Sequence, residues 1–161
     1  NYGTSMYANG GTITLKGVGT SGLGLQLARE PGTTATSNFV SNSATNPAIS
    51  MAGQSDSAWG FLSGYYRTTA NSVSIQATGA GGISLSGKTG GATASGYGDV
   101  ILNSTNLLSA SGQIRIASNS TSTTTGGVLI GVAVRADTCA GHDGDGDDRR
   151  VSVRVSRDAG R

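Results

Sequence analysis

The sequence predicts an all-β chain folded as a parallel β-helix, a solenoid of short strands, over residues 1–134, with a charged and disordered tail over 135–161. Three observations carry this reading. The first is composition: 27 Gly stand beside 22 Ser, 19 Thr and 9 Asn, so nearly half of the 161 residues are small or turn-prone. A single Glu, two Lys, two Met and two Phe leave too few helix formers for a bundle, a coiled coil or a doubly wound α/β enzyme. The second is a set of brief apolar alternations bracketed by glycine, and the third is an abrupt change in charge near Arg135.

The alternations run in order through Ile13-Thr14-Leu15, Leu23-Gly24-Leu25-Gln26-Leu27, Ile49-Ser50-Met51, Val73-Ser74-Ile75, Ile83-Ser84-Leu85, Val100-Ile101-Leu102, Ile114-Arg115-Ile116 and Val128-Leu129-Ile130. A period of two over three to five residues marks short strands with one face buried. Asn9-Gly10 is the one Asn-Gly or Asp-Gly dipeptide before the tail, so a meander of tight hairpins is not expected. Self-similarity points to stacking instead. Gly10-Gly11-Thr12-Ile13-Thr14-Leu15-Lys16-Gly17 matches Gly81-Gly82-Ile83-Ser84-Leu85-Ser86-Gly87, and Gly126-Gly127-Val128-Leu129-Ile130-Gly131 reads as a looser third copy.

From Ile83 the apolar centres step to Ile101, Ile114 and Ile130, an irregular repeat. With coils of roughly 20 residues stacked at about 4.8 Å, the body would hold some six or seven coils in a rod about 30 Å long. Ile, Leu and Val are expected to stack inward along the axis while Ser, Thr and Asn face water. Glycine is expected at the corners, beside each strand, where a residue without Cβ adopts positive φ at little cost.

Two stretches break the pattern. Residues 28–47, with Arg29-Glu30-Pro31-Gly32 and Asn46-Pro47, read as a loop or a divergent coil, since proline cannot donate to a central ladder. Residues 56–67 hold the one aromatic cluster: Trp59, Phe61, Tyr65 and Tyr66, with Arg67 beside them. Two readings stay open for it, a corner packed against the rod, or a sugar- or protein-binding patch that offers stacking faces with polar fixing groups.

Gly11-Thr12-Ile13-Thr14-Leu15-Lys16-Gly17, Ser21-Gly22-Leu23-Gly24-Leu25, Gly98-Asp99-Val100-Ile101-Leu102-Asn103 and Leu107-Leu108-Ser109-Ala110-Ser111-Gly112-Gln113-Ile114-Arg115-Ile116 resemble the repeat stem of filamentous haemagglutinin-like proteins of two-partner secretion and related autotransporter adhesins. The resemblance covers much of residues 10–134. It implies a right-handed parallel β-helix exported through an outer-membrane partner, displayed at the bacterial surface or secreted, and engaged in adhesion to host-cell glycans or surface proteins. The family's amino-terminal secretion domain is not recognisable. Low charge and a single Cys139 are consistent with a chain that folds coil on coil as it emerges.

No apolar run reaches the roughly 18 residues needed to span a bilayer. Asn1 opens the chain without a charged or apolar leader, so a fragment or a mature segment is expected. The body carries three acids, Glu30, Asp56 and Asp99, and no histidine, too little for an acid–base pair, a serine triad or a metal cluster. The expectation is therefore a non-catalytic stem without cofactor or metal. The alternative is a fragment of a carbohydrate-active β-helix enzyme, a polysaccharide lyase or hydrolase, whose acids would converge near Asp56 and Asp99.

In the tail, six Arg and six Asp crowd 27 positions, although the whole chain has a net charge of only +2. Asp143-Gly144-Asp145-Gly146-Asp147-Asp148 resembles a calcium loop but lacks the required Gly and Glu, at Asp148 and Arg154. Arg149-Arg150-Val151-Ser152-Val153-Arg154-Val155-Ser156-Arg157 alternates like a basic edge strand. Neighbouring aspartates offset its field and no aromatic interleaves it, so no nucleic-acid partner is expected.

Overall fold

The computed structural model describes residues 3–27, 36–64, 72–90, 99–119, 128–130, 135–138 and 154–157. Among the described residues there are fourteen strands and no helix. They are β1 (Ser5–Ala8), β2 (Ile13–Gly19), β3 (Leu25–Gln26), β4 (Ser37–Ser41), β5 (Ile49–Ser55), β6 (Phe61–Ser63), β7 (Val73–Ala77), β8 (Ile83–Thr89), β9 (Val100–Leu102), β10 (Thr105–Ser109), β11 (Ile114–Ser118), β12 (Val128–Ile130), β13 (Arg135–Thr138) and β14 (Arg154–Arg157). The first sheet has the order β1-β4-β7-β10-β13, the second β2-β5-β8-β11-β14 and the third β3-β6-β9-β12. Every pairing is parallel. The chain thus visits the three sheets in turn, and each strand pairs with the strand three places further on; one such passage is a circuit.

Seven of the eight alternations seen in the sequence lie wholly on strands, and Leu23–Leu27 does so only at Leu25–Gln26, but their spacing has a different meaning from the one expected. Ile13, Ile49, Ile83 and Ile114 are register partners across the second sheet, separated by 36, 34 and 31 residues. Across the three sheets the repeat ranges from 28 residues, Val100 to Val128, to 39, Phe61 to Val100. A circuit is therefore longer than the expected 20 residues. Four circuits and two strands of a fifth replace the six or seven coils. The series Ile83, Ile101, Ile114, Ile130 alternates between the second and third sheets, on β8, β9, β11 and β12, and Val128-Leu129-Ile130 is likewise a third-sheet strand.

Strand alternation turns one set of side chains into a single interior. β5 and β8 alternate buried and half-buried positions along their whole length. Ile49, Met51, Ile75, Ile83, Leu85, Phe61, Val100 and Leu107 are fully buried in one cluster that draws on all three sheets. In the third sheet, Leu62 and Ile101 are also buried but lie outside that cluster, so this sheet is apolar on both faces, as parallel sheets often are.

Ser37–Ser41 of the stretch read as a loop or divergent coil form β4, which lies between β1 and β7; Pro47 lies exposed in the connection to β5. Residues 28–35 lie outside the described residues. The sequence reading also places 135–161 beyond the repeat, as a disordered tail. Two of its segments instead continue sheets: β13 pairs with β10 and β14 pairs with β11. Residues 139–153 and 158–161, including the calcium-like run, lie outside the described residues.

Ile83→Ala should destabilise the chain by about 2–5 kcal/mol in urea unfolding, because it opens a cavity between Ile49 and Ile114. Ser84→Ala, on the outer side of the same strand, should change stability by less than about 0.5 kcal/mol. Equal effects would disprove the inward and outward assignment.

Candidate functional site

Among the described residues, Asp56, Trp59 and Asp99 lie at the corner between the second and third sheets. Here the strand that arrives and the strand that leaves come into close backbone contact. Gly17, Gly53 and Gly87 are register partners inside β2, β5 and β8. A Cβ on any of them would collide with the carbonyl oxygen of Gly24, Gly60 or Asp99, respectively. Glycine is thus required within these strands by close approach, whereas the sequence reading placed it beside the strands for positive φ. Among the described glycines, positive φ is adopted by Gly10 and Gly64.

Hydroxyl groups anchor the same corner. Ser55, at the end of β5, donates to the carbonyl of Gly22 in the preceding circuit at 2.6 Å and accepts from the Ala58 N–H at 2.8 Å. Ser41 repeats the device between the first and second sheets, donating to Gly11 at 2.7 Å. Ser41, Ser55, Ser63, Thr89, Ser109 and Ser118 are all fully or almost fully buried at strand ends. The expectation that Ser and Thr face water therefore holds only in part along the strands, where Thr14 is exposed, Ser50 and Ser84 are half-buried and Ser74 is buried, and it fails at their ends. There the buried hydroxyl satisfies turn backbone that water cannot reach.

Asp99 occupies the position that Gly24 and Gly60 hold in the first two circuits, and it is completely buried. Its Oδ1 accepts from the Thr89 N–H at 2.8 Å and from the Thr89 hydroxyl, and its Oδ2 accepts from the Ser118 hydroxyl. Ser118 stands in register with Gly87. The third and fourth circuits thus exchange a glycine pair for a hydrogen-bonded Asp–Ser pair. The sequence reading counted Asp99 only among the three acids of the body; the clue it offered was its place directly before the apolar run Val100-Ile101-Leu102.

Asp56 reaches the same corner from the neighbouring circuit, and its Oδ1 would lie 3.3 Å from a Cβ on Gly90. It is exposed where Asp99 is sealed inside. Both acids flank Thr89-Gly90, yet both oxygens of Asp99 are engaged with donors of its own corner. Such a group can order a turn; it does not face a substrate beside Asp56. Among the described residues no three His, Cys, Asp or Glu gather into a metal site.

The aromatic cluster is divided. Phe61 is fully buried in the interior, paired with Leu25 and Val100, and so agrees with the packed reading and has no place in a surface patch. Trp59 is half-buried in the corner before β6, and its carbonyl accepts from the Gly24 N–H at 3.0 Å. Tyr65, Tyr66 and Arg67 lie outside the described residues.

No family model, curated protein or solved structure matches the chain.

Asp99→Ala should cost about 2–4 kcal/mol in urea unfolding by removing the buried acceptor shared by the Thr89 N–H and the Thr89 and Ser118 hydroxyls. Asp56→Ala should be close to neutral, and equal losses would show that the buried network contributes nothing particular. Gly53→Ala should cost at least about 1–3 kcal/mol by forcing the corner apart. Gly22→Ala, which has open space around its Cβ position, provides the control.

Proposed function

We propose that the chain is a segment of a right-handed parallel β-helix and acts as a non-catalytic stem of a large exported bacterial surface protein. In this reading it projects an adhesive region toward host-cell glycans or surface proteins, after delivery by an outer-membrane exporter. The observation that carries it is the cyclic order of three parallel sheets around one apolar interior, an arrangement that lengthens by adding circuits and needs no catalytic centre. The resemblance of residues 10–134 to haemagglutinin-like repeats supplies the cellular setting.

Connection lengths suggest where binding would occur. In the third circuit two residues, Asn103 and Ser104, suffice to join the third sheet to the first. The equivalent connections in the first and second circuits have ten and nine residues. These contain Arg29 and Glu30 in one and Tyr65, Tyr66 and Arg67 in the other. Their ends are neighbours: Leu27 N–H donates to Leu62 O at 2.8 Å, and the Thr36 and Ser72 hydroxyls are 2.8 Å apart. Chain that closure does not require, placed at one corner of successive circuits, is suited to recognition.

Beads coated with the purified chain should adhere to cultured host cells or retain members of a glycan array. Joint Tyr65→Ala and Tyr66→Ala substitution should weaken that binding by about tenfold or more, and Trp59→Ala by less. Undiminished binding in all variants would remove the patch. Release of new reducing ends or unsaturated sugars from polysaccharides would overturn the non-catalytic reading in favour of the enzyme.

A further inference from the structure

The turn from β1 to β2 holds the one Asn-Gly dipeptide of the chain, Asn9-Gly10. Such a pair can close on itself, because a residue without Cβ lets its amide nitrogen approach the preceding side-chain carbonyl unhindered. The Gly10 nitrogen attacks Cγ of Asn9, and a succinimide ring forms as the Cγ–Nδ2 bond breaks. Nδ2 leaves with the Gly10 N–H proton as ammonia. Water then opens the ring at either carbonyl and leaves aspartate or isoaspartate at position 9. Water enters and ammonia departs, with no oxidant, reductant or cofactor.

Residues 41 and 42 of the second circuit bind every residue of this turn. Ala8 O accepts from the Asn42 N–H at 3.3 Å, and Asn9 Oδ1 accepts from Asn42 Nδ2 at 2.8 Å. The Gly10 N–H donates to Asn42 Oδ1, and Gly11 O accepts from the Ser41 hydroxyl at 2.7 Å. The ladder sets this placement: Ala8 and Ser41 are register partners, and Asn9 and Asn42 are the pair that follows. One carboxamide thus holds the nucleophile through its oxygen and the electrophile through its nitrogen. A carboxamide oxygen is too weak a base to take the Gly10 proton, so attack requires that this hydrogen bond break first. Rotation of the Asn9 side chain toward the Gly10 nitrogen disturbs the second bond as well.

The pairing is not a ladder that the fold repeats. The same position in the third and fourth circuits is held by Thr78 and Ala110, whose N–H groups donate to Ser41 O and Ala77 O. In this column a second amide stands only against the Asn-Gly turn.

We propose that Asn9-Gly10 is a site of covalent self-modification restrained by Asn42, intact while the first and second circuits are paired and converted to isoaspartate, with release of ammonia, once they part. Isoaspartate adds a methylene to the main chain and a carboxylate to the side of the turn between β1 and β2. The turn then no longer fits its original partners, so loss of the β1–β4 and β2–β5 ladders is recorded irreversibly.

The purified 161-residue chain, held in mildly alkaline buffer with and without denaturing urea and followed by peptide mapping for isoaspartate at position 9, tests this. Conversion in urea should match that of a free Asn-Gly peptide, and without urea it should be at least about tenfold slower, the rate equivalent of one hydrogen bond. Asn42→Ala should raise the rate of the folded chain by about tenfold and leave the rate in urea unchanged. Thr78→Ala, at the same position one circuit further on, should change neither. Circular dichroism establishes that each variant is folded. Hydrogen exchange of the Gly10 amide in the unaltered chain, slowed relative to the free peptide, decides the matter if Asn42→Ala is not. Equal rates with and without urea, a folded Asn42→Ala chain as slow as the original, a Thr78→Ala chain as fast as Asn42→Ala, or a Gly10 amide that exchanges as freely as the peptide's would overturn the proposal. None of these outcomes bears on adhesion, which the cell and glycan measurements address separately.

Discussion

The parallel ladder between equivalent residues of successive circuits is the constraint on which everything else depends. Each strand inside a sheet is held on both sides by strands about one circuit away in sequence, so a residue's neighbours in space are those at the same register position. A slip of one residue in any strand would turn its apolar set outward. The stacking of Ile13, Ile49, Ile83 and Ile114 follows from this. So does the tolerance for repeats of unequal length, because the ladder constrains the strands and leaves the connections free.

A narrow cross-section makes the corners the difficult part. Strands of two to seven residues turn before a side chain can be accommodated between arriving and leaving backbone, and the in-strand glycines at 17, 53 and 87 answer that demand. Turn backbone packed so tightly cannot be hydrated, and the serines and threonines at strand ends take the place of water. Asp99 with Thr89 and Ser118 is a larger solution to the same problem. It appears where the connection from β8 to β9 grows to ten residues, against five for the connections from β2 to β3 and from β5 to β6.

This geometry explains what was legible in the sequence. The second sheet could be read because it places two large apolar residues in each strand, as in Ile83-Ser84-Leu85. The first sheet was largely hidden, since its inward positions pair one large residue with a small one: Met6 with Ala8, Phe39 with Ser41, Leu107 with Ser109. The circuit length was misread because glycine-bracketed apolar triplets occur on two sheets of the same circuit, and nothing in their composition separates them. Phe61 was drawn into a surface cluster by its aromatic neighbours, although its register with Leu25 and Val100 makes it interior. Burial of Asp99 depends on register with a glycine column that only the fold aligns.

The surplus chain is not spread evenly among the corners. In the first two circuits it lies between the third and first sheets; in the next two, ten and nine residues lie instead between the second and third. A ladder that closes with two residues at Asn103 and Ser104 has no use for such length. Longer loops cost little additional closure entropy, growing only with the logarithm of length, so corners can accept insertions without disturbing the interior columns. A stack of circuits built in this way can vary its corners while its strands remain in register: every isoleucine of the body lies on a strand, whereas Asp56, Trp59 and Asp99 lie in connections.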